Sequence, residues 1–233
     1  MRSPRNMPNA MKMFQMAAVT RGFELDRHGR GSAKDVLLDV ISKPATLQEL
    51  AQRIAAKYGD EMFCYSVIMT ILKKMGAKRE DLRILRDKKV LDLGCGSVLS
   101  IDNFNGGFDP WLCRCLHEIG AEVIGIDVYK QVREAFKSFE KDLSVPGGLN
   151  FLADASFDFV VCKSLLSFTL DVDEHLSDFL FDDTDKKTRE NMRNEIFLQT
   201  KRLLREGGLF IATDGDASLL IFKKENNELI KKE

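Results

Sequence analysis

The sequence predicts an α/β fold: a three-layer sandwich around a mostly parallel sheet with an antiparallel C-terminal edge, preceded by a helical cap. Three observations predict it. A short apolar run, Val90-Leu91-Asp92-Leu93, ends at Gly94 and Gly96; a second, Glu122-Val123-Ile124-Gly125-Ile126, ends at the carboxylate Asp127. Continuous apolar runs of this length read as strands buried on both faces, the habit of parallel sheets. Two later runs, 157–162 and 209–212, alternate with helix-period segments, which is the order of a wound α/β chain.

In chain order, residues 1–34 form a basic arm, with Arg2, Arg5, Lys12, Arg21, Arg27, Arg30 and Lys34 against Glu24 and Asp26. Ser3-Pro4 and Met7-Pro8 predict an irregular start. Two readings of the arm stand: a cover for a cofactor or anionic substrate, and a solvated tail. Residues 35–88 read as the helical cap. Val36, Leu37, Val40 and Ile41 share a helix face, and Thr46 with Glu49 makes a capping box. Leu47, Leu50, Ala51 and Ile54 supply the stripe behind it. Phe63, Val67, Met69, Ile71 and Leu72 mark a further helix, which Gly76 ends. Three such helices also fit a winged-helix module. The middle one offers only Gln48, Gln52, Arg53 and Lys57 as possible contacts, too few for base reading.

The glycine pair after the first strand permits positive φ and close approach of a ligand to the backbone. An acid at the end of the next strand lies where a ribose would rest. Asp127 stands about 30 residues after the glycines, beyond the usual ~20. The excess is the aromatic, glycine-bearing segment 101–111, with Phe104, Gly106, Gly107, Phe108 and Trp111. Those aromatics either line a site mouth or pack the loop onto the cap. Pro110 opens a helix that Gly120 stops. Asp142, in Phe139-Glu140-Lys141-Asp142-Leu143, closes a short third segment. Asp171, Asp173, Glu174, Asp178, Asp182, Asp183 and Asp185 then form an acidic stretch, either a solvated face or a lid for a cationic acceptor. Residues 186–205 read as an amphipathic helix with Met192, Ile196, Leu203 and Leu204 inward. Gly207-Gly208 reads as a turn into the fifth strand, and Asp214-Gly215-Asp216 as a tight turn into 219–222. A truncated sheet edge and a charged, partly disordered tail are expected from Lys223.

The chain has 233 residues, with 35 basic and 36 acidic side chains. That length buries a sizeable core, and the balance gives no support to bulk nucleic-acid binding. The five cysteines, Cys64, Cys95, Cys113, Cys115 and Cys162, read as buried small hydrophobes in a reducing, cytoplasmic setting. With His28, His117 and His175 scattered, no metal constellation is expected. No apolar run approaches a membrane span.

Taken together, 90–96, 122–127, Asp142-Leu143, 156–161 and 203–211 resemble the class I S-adenosylmethionine-dependent methyltransferases, a Rossmann-like superfamily. The resemblance spans about residues 89–223, and five motifs in order make it specific. It implies a methyltransferase domain over 89–233, with S-adenosylmethionine as cofactor. By the same resemblance the cofactor is held by Asp92, Gly94, Cys95, Gly96, Asp127, Val128, Asp142, Leu143 and Cys162. Asp127 takes the ribose and Asp142 the adenine amino group. Val98 departs from the pattern, which usually has a third glycine there, and Leu99 breaks the dinucleotide pattern GxGxxG.

Methyl transfer from a sulfonium needs positioning above all, and a base only when the acceptor must lose a proton. Lys163, Ser164 and Asp214 stand where such a base would be, and none is singled out. Cys162-Lys163-Ser164-Leu165 replaces the Asn-Pro-Pro-aromatic motif of base and glutamine methylation. A small-molecule acceptor is therefore expected, with RNA or protein as alternatives. Two other classes stand beside it: a non-catalytic binding protein on this fold, and a nicotinamide oxidoreductase, which the glycine pattern disfavours.

Overall fold

The computed structural model describes residues 43–58, 65–98, 109–163, 186–213 and 219–232. The elements are α1 (Leu47–Tyr58), α2 (Tyr65–Lys74), β1 (Lys89–Leu93), α3 (Trp111–Ile119), β2 (Glu122–Asp127), β3 (Lys137–Glu140), β4 (Phe157–Cys162), α4 (Lys186–Leu203), β5 (Leu204–Thr213), β6 (Leu219–Glu225) and β7 (Glu228–Lys232). They build one seven-stranded sheet in the order β3-β2-β1-β4-β5-β6-β7. The first five strands in space pair in parallel, and β5-β6-β7 is an antiparallel meander. This is the α/β architecture the sequence predicts, antiparallel edge included.

Two apolar layers flank the sheet. On one face α1, α2 and α3 cover β1, β2 and β4 through Leu50, Ile54, Ile68, Ile71, Leu72, Trp111 and Leu116. On the other, α4 and the 143–152 turns cover Leu91, Leu93, Val160 and Phe210. The capping box forms as read: Glu49 N–H donates to Thr46 Oγ1 at 3.2 Å, and Thr46 N–H to Glu49 Oε2 at 3.2 Å. Arg53 and Lys57, two of the four polar groups a DNA-reading helix would need, are tied to Glu118 of α3, Lys57 at 2.7 Å. Those bonds dock α1 on α3. Trp111 packs edge-to-face with Tyr58, centroids 6.2 Å apart, so its aromatic ring is a packing group. Gly120 closes α3 in the left-handed region, φ 103°.

Between Trp111 and the sheet edge lies a buried ionic hub. The Arg114 guanidinium stacks 4.6 Å from both Tyr58 and Trp111. It donates to Glu134 at 2.6 Å and Asp109 at 2.7 Å. Glu134 belongs to residues 128–136, which join β2 to β3 without a helix. A parallel crossover usually needs a helix to cover the sheet; here the Arg114–Glu134 pair fastens the bare connection to α3 instead.

The structure departs from the sequence reading in two places. Gly207-Gly208 is no turn before the strand: β5 starts at Leu204 and passes through the pair with a register shift between Phe157 and Phe159. A Cβ on Gly208 would stand 3.0 Å from the carbonyls of Arg205 and Asp158, so the glycines serve the bulge. The expected truncated edge and disordered tail are replaced by a β6–β7 hairpin. Asn226 (φ 52°) and Asn227 (φ 61°) form its two-residue turn, the conformation Asn tolerates best after glycine.

The basic arm 1–34, the loop aromatics Phe104 and Phe108 with Gly106-Gly107, the acidic stretch 171–185 and the turn at 214–216 lie outside the described residues. No described helix is long and apolar enough to cross a membrane.

Candidate functional site

The strand order reverses at β1, whose neighbours are β2 on one side and β4 on the other. Crevices beyond the C-terminal ends of strands at such a reversal are the usual ligand sites of open α/β sheets. The loop after β1 and the loop after β2 meet there. Gly94 (φ 68°) and Gly96 (φ 89°) both adopt the left-handed region, which explains glycine at each.

Hydrogen bonds staple the two loops together. Gly94 N–H and Cys95 N–H both donate to Ile126 O, at 2.8 and 3.0 Å. Gly96 N–H donates to Asp127 Oδ2 at 2.9 Å, and Tyr129 N–H to Asp127 Oδ1 at 2.9 Å. Gln131 Nε2 donates to Gly96 O at 2.6 Å, and Ser97 Oγ to Lys130 O at 2.9 Å. Asp127 is 9% exposed, and its carboxylate is oriented by one backbone donor on each oxygen. Val98 and Val128 flank this seam, 38% and 59% exposed.

Cys95 turns its side chain under the loop. Gly125 makes room for it: a Cβ there would stand 2.8 Å from Cys95 Sγ and 3.3 Å from Cys113 Sγ. Its Sγ meets the seam from below, 3.6 Å from Gln131 Nε2. Cys113 donates its thiol to Asp92 Oδ2 at 3.3 Å. Asp92 is 1% exposed and its Oδ1 has no hydrogen-bond partner. Burial pushes its carboxyl up to about 6, with the nearby Asp127 adding to the rise and Lys163 and the Cys113 thiol opposing it. Burial also holds the Cys113 thiol well above its ordinary range.

The remaining residues named from sequence follow β3 and β4, with Cys162 in register with Leu93. Asp142 is exposed, and its Oδ1 accepts from Ser144 N–H at 2.8 Å and Ser144 Oγ at 2.7 Å, an Asx turn. Leu143 packs in the α4-side layer, and the side chain of Cys162 is fully buried there. Lys163 follows β4 close enough to act on Asp92; Ser164 and Asp214 lie outside the described residues. Among the described residues no cluster has the makings of a metal site. Gln131, Ser97 and Cys113 join the site without any signal in the sequence, since each is recruited by a partner more than fifteen residues away.

No family model matches the chain, and no curated protein does. Solved structures with a similar fold include a chain from the complex of the Haloferax volcanii Trm112 methyltransferase activator with its candidate methyltransferase. It is 15% identical, TM-score 0.38, over 73% of this chain and 60% of that one. A Pyrococcus horikoshii protein is 16% identical, TM-score 0.39, over 76% and 77%. Magnesium protoporphyrin IX methyltransferase from Synechocystis, solved with bound S-adenosylhomocysteine, is 18% identical, TM-score 0.36, over 69% and 58%. This chain thus spans about three-fifths of the Haloferax and Synechocystis chains.

Proposed function

We propose that the chain is an S-adenosylmethionine-dependent methyltransferase acting on a small-molecule acceptor. The observation that carries this reading is Asp127, a nearly buried carboxylate at the end of β2, oriented by the Gly96 and Tyr129 amides. Each oxygen spends one lone pair on a backbone donor and keeps capacity for a hydroxyl, which suits the adjacent hydroxyls of a ribose.

The rest of the seam fits the same cofactor. Gly94 and Gly96 put no side chain between the loop and a ligand. Val98 and Val128 offer apolar surface for a base. The unpartnered Oδ1 of Asp92 suits the ammonium end of a methionine moiety. When bound, the cofactor supplies an electrophilic methyl on a sulfonium. The chain's task is then to hold the reactants in line and exclude water. In this reading 89–233 binds the cofactor, 35–88 caps it, and 1–34 acts on the acceptor.

The rival reading is a binding protein on this fold without turnover. Its support is Asp142, whose carboxylate is already engaged by Ser144. Calorimetric titration with S-adenosylhomocysteine and NADH, followed by transfer of a labelled methyl to a metabolite pool and to RNA, tests both. Binding of the first ligand alone, with label in the small-molecule fraction, is expected. Binding without transfer would favour the rival, and no binding would overturn both.

A further inference from the structure

We propose that Gln131 is a positioning residue for the glycine loop, fixing Gly96 so that Asp127 is presented correctly to the ribose; this rests on the cofactor reading above. Gly96 has no side chain, so nothing intrinsic restricts its backbone. Its two flanking peptides are instead held from the β2 loop. The N–H is taken by Asp127 Oδ2 at 2.9 Å, and the C=O by Gln131 Nε2 at 2.6 Å. Nε2 also reaches Cys95 Sγ at 3.6 Å. Gln131 Oε1 is buried without a partner. That asymmetry orients the amide, because a flipped side chain would set Oε1 against the Gly96 carbonyl.

The loop carries no third glycine. Val98 occupies that place, and rigidity comes from across the seam, through Gln131 and through Ser97 Oγ on Lys130 O. If the Gly96 carbonyl is released, the peptide on its other side turns with it, and the Asp127 carboxylate loses its Oδ2 donor. Gln131 touches no reacting atom in this account and acts only through Gly96.

A charge introduced at this position gives a readout that packing alone would not move. In Gln131→Glu the ionised carboxylate faces the Gly96 carbonyl, with Cys95 Sγ on one side and the Asp127 carboxylate held on the N–H of the same glycine. Once protonated, it again donates to Gly96 O. Titrations of the full chain with S-adenosylhomocysteine at pH 8 and pH 5, each referred to the wild type at the same pH, make the test. Gln131→Leu is expected to weaken binding roughly 3–10-fold at both pH values. Gln131→Glu is expected to bind more weakly than Gln131→Leu at pH 8 and to recover to within about threefold of wild type at pH 5. A Gln131→Glu ratio that is the same at both pH values would overturn the proposal, as would wild-type affinity in both variants. Failure of Gln131→Leu to melt cooperatively would overturn it in favour of a purely structural role. If the wild type itself does not bind, the cofactor reading fails and the proposal with it.

Discussion

Gly96 N–H donates to the Asp127 carboxylate across 2.9 Å, and that bond joins the turn leaving β1 to the end of β2. The acid thus ties the fold with both oxygens, and in the proposed reading the same two oxygens meet the ribose.

Asp127→Ala removes both functions. We expect S-adenosylhomocysteine affinity to fall by about 1.5–3 kcal/mol, the worth of charge-assisted hydrogen bonds. Calorimetry on wild type and variant measures it, and equal affinities would dismiss Asp127 as the ribose ligand.

Asp142→Ala separates an adenine contact from a turn. If Asp142 accepts from the adenine amino group, the variant loses more affinity for S-adenosylhomocysteine than for its inosine counterpart, which lacks that group. Equal losses would leave Asp142 only its Asx turn with Ser144.

Asp92 gives the fold a pH dependence of definite sign. Its carboxyl titrates near 6 in the fold against an ordinary 3.8, so the folded state holds the proton more tightly. The associated stability is fully present below the ordinary value and is lost as pH rises through about 6. Asp92→Asn is expected to be more stable than wild type at pH 7 by roughly 2–3 kcal/mol, the difference shrinking toward pH 4. Urea midpoints at pH 4, 5, 6 and 7 supply the curve. A constant offset between the two proteins would count against a buried, titrating Asp92.

Arg114→Met keeps the stacking volume on Tyr58 and Trp111 but strands Glu134 and Asp109, whose side chains are largely buried. A loss of about 3–5 kcal/mol in chemical denaturation is expected. Arg114→Lys should recover part of it, because one ammonium cannot serve both carboxylates as the planar fork does. A neutral Arg114→Met would mean that the hub is not needed to hold the β2–β3 connection.

β1, β2, β4 and the latter part of β5 were readable because each holds a short apolar run. β2 and β4 fall at the expected residues, and the Thr46–Glu49 box forms because both partners lie within one turn. What escaped reading depends on partners remote in sequence. Gly207-Gly208 has turn composition, yet it lies in a bulge of β5 between Leu204 and Leu209, the residues that pair with β4; Lys224 reaches across to donate to Leu204 O at 2.7 Å. The β6–β7 hairpin was hidden by its charges, since Lys223, Lys224, Glu225, Lys231 and Lys232 look like a solvated tail until Glu225 and Glu228 pair in register around Asn226-Asn227. In the candidate site, Asp127 and the glycines stand at strand ends, which position in the sequence shows. Gln131 does not, because a loop glutamine carries no mark of the carbonyl it will meet.

The way β1 meets β4 also bears on how quickly the chain finds its fold. Lys89 N–H bonds the Asp158 carboxylate from 69 residues away, at 2.8 Å, and the parallel pairing of the two strands begins beside it. Closing so long a loop costs chain entropy before any contact rewards it, and sheets built from such pairings fold slowly. The β5-β6-β7 meander closes between sequence neighbours and escapes that delay. We expect the central pairing, with Arg205 and Lys88 gathered on the same carboxylate, to limit the rate. Substitution of Asp158 should slow refolding more than any change in the C-terminal hairpin, as stopped-flow refolding would register.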